Sequence, residues 1–259
     1  MTLPEISTKT IGILTFLVGS GIALVASAET VHFGTLASFS GPDDLDLAGT
    51  FAYAVDFPGG GGTVKGLAFT GETAPGVSIT AERTADPWSP KPEYGADADS
   101  NALEDVMLGI RYSLWQDPAP NTISINLTVE DGQPYKLQLL WSENYWPNSG
   151  RRFFDVVVDG QLAIDELDVN AVQGDPPGTA SAPRSSPATK GAVYTHTLTA
   201  SGTTLNITLS HGSTAGGDFN EIINGLTLEE VPEPASLILL AVGSLAVFGL
   251  GGVRRRRAR

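Results

Sequence analysis

Large apolar residues recur at every second position in several runs of this chain, a period that fits strands with one buried face rather than helices. Phe51, Tyr53, Val55 and Phe57 alternate with Ala52, Ala54 and Asp56. Ile123, Ile125, Leu127 and Val129 alternate with Ser124, Asn126, Thr128 and Glu130. Tyr135, Leu137, Leu139 and Trp141 repeat the pattern, as do Leu205, Ile207 and Leu209. Asp131-Gly132 and Asp159-Gly160 are dipeptides that tight hairpins prefer, and Ser201-Gly202 is a third candidate. Many half-buried strands at short spacing predict an all-β fold, an antiparallel β-sandwich. One stretch departs from it. Leu103, Val106, Met107 and Ile110 fall at helical spacing behind Asn101, with Glu104 three places on, and predict one short helix with a capping-box start. Arg111 to Trp115 reads as a return to strand. Glu82 to Asp99 and the proline-rich Gly174 to Lys190 read as surface loops.

The two ends carry a different signal. Lys9 precedes an apolar run from Ile11 to Val25, which closes on Ala26-Ser27-Ala28. Small residues at Ala26 and Ala28 suit a signal peptidase, so residues 1–28 read as a signal peptide with a helical apolar core. At the other end Val231-Pro232-Glu233-Pro234 leads into the apolar stretch Leu237 to Val253 and then Arg254 to Arg257. That stretch of 17 residues is at the lower limit of what crosses a ~30 Å hydrocarbon core as a transmembrane helix. The arginines hold its end on the cytoplasmic side, which puts the body of the chain outside the inner membrane. The three-part end, residues 231–259, resembles the PEP-CTERM sorting signal of Gram-negative bacteria. The resemblance implies an exosortase as processing partner, transient membrane anchoring, and release to the cell surface or extracellular matrix.

Composition narrows the function of the stretch between, residues 29–230. The chain of 259 residues has no Cys, which excludes a disulfide scaffold, a thiol nucleophile and cysteine-held metals. Three histidines, His32, His196 and His211, leave little for a histidine-based metal site or triad. The formal net charge is −14. Five of the 15 basic residues sit in the last six positions, so the body is more acidic still. Such a surface repels nucleic acid and favours neutral glycans, cations or basic partners.

In the middle of the chain Tyr135-Lys-Leu-Gln-Leu-Leu-Trp-Ser-Glu143 is followed by a loop and by Arg152-Phe-Phe-Asp-Val-Val-Val-Asp-Gly160. Asp165 to Val169 reads as a following strand. Leu205 to Leu209 and Asp218 to Leu228 close the pattern. This segment resembles the malectin-like carbohydrate-binding domains. The resemblance implies a jelly-roll, galactose-binding-like sandwich that binds polysaccharide without catalysis. It also implies that Asp218, assisted by Asn220, stands where the family's aspartate contacts sugar. The family's early tyrosines have no counterpart here, and its diglucose ligand is not carried over.

Sugars are held by aromatic faces and planar polar groups in shallow clefts. The loop from Ser142 to Gly150 offers Tyr145 and Trp146 beside Glu143, Asn144 and Asn148. Trp88 and Tyr94 are the next candidates. Arg152 has Asp155 or Glu143 as a partner within reach in sequence. Two acidic stretches, Asp43-Asp44-Leu-Asp46 and Asp97-Ala-Asp99-Ser-Asn101, make calcium the one possible cofactor, although neither is an EF-hand loop. Glu143 and Asp155 flank the aromatic loop with no motif to arrange them for glycoside cleavage, so the reading is of no enzyme. The alternative is a structural matrix or biofilm protein that binds no glycan.

Overall fold

The computed structural model describes residues 30–232, apart from 82, 86, 89, 114–121, 179–181, 214–217 and 219. Ala26, Ala28, Glu233, Pro234 and the two apolar end segments lie outside the described residues, as do Leu114 and Trp115. In chain order the elements are β1 (Thr30–Val31), β2 (Thr35–Phe39), β3 (Thr50–Asp56), β4 (Gly62–Val64), β5 (Leu67–Gly71), β6 (Val77–Thr80) and β7 (Arg83–Ala85). Helix α1 (Ala98–Val106), β8 (Ile110–Tyr112), β9 (Thr122–Thr128), β10 (Pro134–Trp141), β11 (Phe154–Val158) and β12 (Gln161–Leu167) follow. Helix α2 (Val169–Gln173), β13 (Gly191–Thr199), β14 (Thr204–His211), β15 (Ile222–Ile223) and β16 (Gly225–Glu230) complete the described chain. No helix among the described residues is long and apolar enough to cross a membrane.

Two sheets face each other. One has the order β1-β12-β11-β14-β9-β6 and the other β2-β13-β10-β16-β3-β5-β4. Their pairings are antiparallel except for β3 with β5, which run parallel. The alternating residues point where their period requires. Ile123, Ile125 and Leu127 of β9 and Leu205, Ile207 and Leu209 of β14 meet Leu137, Leu139 and Trp141 of β10 in one buried core. Of the three expected hairpins only the one at Asp159-Gly160 forms: β9 and β10, which flank Asp131-Gly132, and β13 and β14, which flank Ser201-Gly202, lie in different sheets, so those two turns cross between the layers. Asp159 (φ 52°) and Gly160 (φ 76°) both take the left-handed backbone of a two-residue β11–β12 hairpin, where only a residue such as Asp or Gly sits without strain.

A second cluster covers the outer face of the larger sheet. Leu103, Val106 and Met107 from α1 and its C-cap pack with Leu140, Val193, Phe39 and Phe69. This explains why Leu140 is buried out of phase with its strand: β10 has apolar neighbours on both faces.

Three local expectations are corrected. Helix α1 starts at Ala98, earlier than expected, because Asp97 caps it: its Oδ1 accepts from Ser100 N at 2.9 Å and its Oδ2 from Ser100 Oγ at 2.6 Å. Asn101 therefore lies inside the helix. A second short helix is present, since Asp168 caps α2 by accepting from Ala171 N, and Val169 belongs to that helix rather than to a strand. The loop after Glu82 holds the short strand β7, which with β8 and β15 makes a third, three-stranded sheet at one end of the sandwich.

Candidate functional site

The site grows from the end of β10. Trp141, the last residue of that strand, is fully buried and donates from Nε1 to Ile222 O at 2.9 Å. Ser142 N then donates to Asn224 Oδ1 at 2.7 Å, while Asn224 Nδ2 donates to the carbonyls of Met107 and Gly109, both at 2.9 Å. These contacts hold residues 142–150 against the three-stranded sheet.

The loop is fastened from below. Glu143 accepts from Tyr145 N at 2.9 Å and Trp146 N at 3.0 Å, which turns the chain so that two consecutive rings project from it. Helix α2 supplies three more ties: Gln173 Oε1 accepts from Glu143 N, Asn170 Nδ2 donates to Trp146 O and Asn148 O, and Asp168 Oδ2 accepts from Gly150 N. Arg184, from the proline-rich loop, donates to Trp146 O and pairs with Asp175.

Above these ties lies an open cleft of about 540 Å³, lined by Trp88, Tyr112, Tyr145, Trp146, Arg152, Asp218 and Asn220, with Ile110 and Ile222 at its floor. The rings of Trp88 and Tyr145 are nearly parallel at 6.4 Å between centroids, and Tyr145 meets Trp146 edge-on at 4.7 Å. Arg152 is 5% exposed. Its Nη2 lies 2.7 Å from Asp218 Oδ2 and its Nη1 3.1 Å from Glu143 Oε2. The guanidinium also sits 5.6 Å from the centre of the Trp88 ring, within cation–π range. Asp218 Oδ2 accepts in addition from Trp146 Nε1 at 2.5 Å, and Asp218 Oδ1 from Asn220 N at 3.0 Å.

The two carboxylates beside Arg152 respond oppositely. Burial, the largest influence on Glu143, pushes its carboxyl above the usual range despite Arg152 and the two backbone donors. Asp218 is also raised by burial, but Arg152 together with donors from Trp146, Arg152 and Asn220 outweighs that and holds it below the usual range. Arg152 is thus a buried cation whose charge is offset by two neighbours. Apart from Arg152 and Asp218, the described lining consists of aromatic rings, two isoleucines and the Asn220 amide.

Of the residues singled out from the sequence, Tyr145, Trp146, Trp88, Asp218 and Asn220 come together in this cleft although they span three separate stretches of chain. Glu143 and Asn144 lie behind it. Asn144 is fully buried, with Oδ1 accepting from Ser142 Oγ at 2.8 Å and Nδ2 donating to Met107 O at 3.2 Å. Asp155 does not pair with Arg152: its Oδ1 accepts from Glu166 N at 2.9 Å, beside Asp165 and Glu166. Glu143 and Asp155 are therefore not a facing pair across the cleft. Tyr94, Asp97 and Asp99 line a separate polar cleft of about 390 Å³ that also draws in Asp43 and Asp44. There Asp99 accepts from Lys65 N and Asp43 pairs with Lys65, while Asn101 donates to Ala96 O. Sequence reasoning did not single out Tyr112 and Ile222, and it placed Ile110 on the helix rather than in β8, because these strands are too short to show a period. It also missed Arg184 and the three α2 side chains that hold the loop.

Comparison with known proteins agrees with this architecture. Residues 116–216 match the family model of the Malectin domain, and residues 230–257 match the PEP-CTERM protein-sorting motif. No curated protein matches the chain. Among solved structures, the ANXUR2 extracellular domain from Arabidopsis thaliana superposes with a TM-score of 0.54 at 13% identity, covering 71% of this chain and 49% of that one. The ANXUR1 extracellular domain from the same plant gives 0.52 at 14% identity, covering 71% and 51%. The plant receptor-like kinase ANX1 gives 0.53 at 13% identity, covering 77% and 55%. This chain spans about half the length of these structures, and at such identities the likeness is one of fold. The chain carries a Malectin-like β-sandwich followed by a PEP-CTERM sorting motif, and this combination marks an exported surface protein with a carbohydrate-binding type of domain.

Proposed function

We propose that this protein binds carbohydrate without catalysis, in the cleft between Trp88, Tyr145 and Trp146, and that an exosortase processes its sorting end on the way to the cell surface or matrix. One observation carries the reading. Three large rings from two distant loops converge on one open concave face, with a paired Arg152 and Asp218 between them. Ring faces stack on sugar C–H surfaces, and an open cleft of this size accommodates a short stretch of polysaccharide. The Malectin match supports the same reading. So does the pairing of Arg152 with Glu143 and Asp218, which ties up the charged side chains among the described lining residues. Among the described residues, Asp218 is the carboxylate that lines the cleft, while Glu143 and Asp155 lie outside its lining.

The test is a glycan array probed with the full chain in detergent, beside Trp88→Ala. Signal on one glycan class that falls about tenfold in the variant, as loss of one ring hot spot of about 1.4 kcal/mol requires, is the expected outcome. Absence of signal across the array overturns the reading and leaves a structural matrix role.

A further inference from the structure

Asp218 lines the cleft, yet most of its hydrogen-bonding capacity is spent on the protein. Oδ2 accepts from Trp146 Nε1 at 2.5 Å and Arg152 Nη2 at 2.7 Å, and Oδ1 accepts from Asn220 N at 3.0 Å. The backbone is fastened too, since Asp218 N donates to Arg151 O at 2.9 Å and the residue bridges Arg152 in parallel register. A carboxylate in this setting is an anchor. What it anchors is the indole of Trp146, which is further held by the Arg151 guanidinium 4.3 Å over the ring and by the edge of Tyr145. On the far side of Arg152 the chain of charges ends at Glu143, whose other oxygen sets the turn that projects Tyr145 and Trp146.

Resting on the reading of the cleft as a glycan site, we propose that Asp218 is a positioning residue. Through the Glu143–Arg152–Asp218 chain it fixes the orientation of the Trp146 ring, and it acts on bound sugar through that ring rather than by accepting sugar hydroxyls itself. The physical gain is preorganisation. An indole free to rotate would have to be immobilised when a sugar stacks on it, and that cost is removed when Nε1 is already tied to a charged acceptor. Three of the roughly four acceptor sites of the carboxylate are held by protein donors, two of them on the oxygen that ties the indole, so holding the ring is its main engagement.

Two experiments on the full chain in detergent decide this. The first needs no sugar. In Asp218→Asn, with the Trp side chains labelled with 15N, the Trp146 indole N–H signal is expected to move and to lose its protection from solvent exchange. The Trp141 indole N–H, bonded to Ile222 O deep in the core, serves as the internal control and is expected to stay in place. A Trp146 signal that does not change overturns the proposal. If both signals collapse, the variant has unfolded, and Asp218→Glu, which keeps the charge but moves the carboxylate by one methylene, then supplies the comparison, with the same change in the Trp146 signal expected and an unchanged signal again overturning the proposal.

The second experiment is a double-mutant cycle by titration with cello-, laminari- and chito-hexaose as probes. Asp218→Asn alone, which replaces a charged acceptor by a weaker neutral one, is expected to weaken binding about tenfold, but by less than about twofold in the Trp146→Phe background, which has no indole N–H for residue 218 to hold. Equal losses in both backgrounds mean that Asp218 contacts sugar directly and overturn the inference. If none of the three probes binds the unaltered chain, it is the glycan reading that is in difficulty, and the indole measurement still decides whether Asp218 holds the ring.

Discussion

At the scale of single residues, Arg152 and its two carboxylates set the character of the cleft. A buried guanidinium is tolerated only when its charge is matched, and removing one partner leaves the other exposed to the full cost of burial. Asp218 also gives the pair a pH dependence of defined sign. Its folded-state carboxyl lies below the ordinary value, so the stability it contributes is complete above about pH 4 and is lost as pH falls through the depressed value. Asp218→Asn is therefore expected to be less stable than the natural chain by about 2 kcal/mol near neutrality. The gap should narrow steadily as thermal melts are taken from about pH 5 down to about pH 2, across the range where carboxylates titrate. A gap that stays constant over that range would show that the Asp218 charge plays no part. The Arg152–Asp218 pair was not readable in the sequence. The two residues stand 66 positions apart, and nothing in local periodicity links them, whereas the nearer Asp155 and Glu143 both invited the pairing. Only the Glu143 half of that expectation holds.

At the scale of elements, strands were legible and the short helical pieces were not. A period of two over seven or eight residues identifies β3, β9, β10 and β14 as strands, and in β9 and β14 also the face that is buried; β3 and β10 are covered on both faces toward their ends, where the period no longer tells one face from the other. Helix α2 has five residues, too few to show a period of 3.6, and its start is visible only once Asp168 is seen accepting from Ala171 N. That small helix matters to the site. The Asp168 carboxylate caps α2 with one oxygen and holds Gly150 N with the other, at 2.5 Å, so it joins the helix to the end of the aromatic loop. Asp168→Ala is expected to cost about 2 kcal/mol in a denaturant melt, the upper range for an N-cap, since a loop tie goes with it. Sugar binding should weaken although Asp168 does not line the cleft. Unchanged affinity in a folded Asp168→Ala would show that the loop holds its shape without α2.

At the scale of the whole molecule, the cleft and the sorting end lie at opposite ends of the same strand. β10 runs from Pro134 to Trp141, about 23 Å at ~3.3 Å per residue. The aromatic loop begins just past Trp141, while Val231 N donates to Pro134 O where the chain leaves β16 toward Pro232. The described chain thus ends, at Pro232, at the end of β10 remote from the cleft. Full chains inserted in lipid vesicles through the C-terminal apolar segment are expected to bind array oligosaccharides as tightly as in detergent, within about twofold, because attachment at that end removes no contact. Loss of binding on insertion, restored in detergent, would place the cleft against the bilayer. Sequence revealed the sorting end directly, since apolar length and charge are local properties. It revealed the sandwich through its period, but only folding could show which loops share one end. The central claim is that the ring faces of this end hold sugar. Calorimetric titration of the full chain and of Tyr145→Ala with the strongest array oligosaccharide tests it most directly, because the Tyr145 ring carries no structural hydrogen bond among the described residues. Binding weakened at least tenfold, with the melting temperature within about 3 °C of the natural chain, is the predicted result. Equal affinity in the two proteins would contradict it.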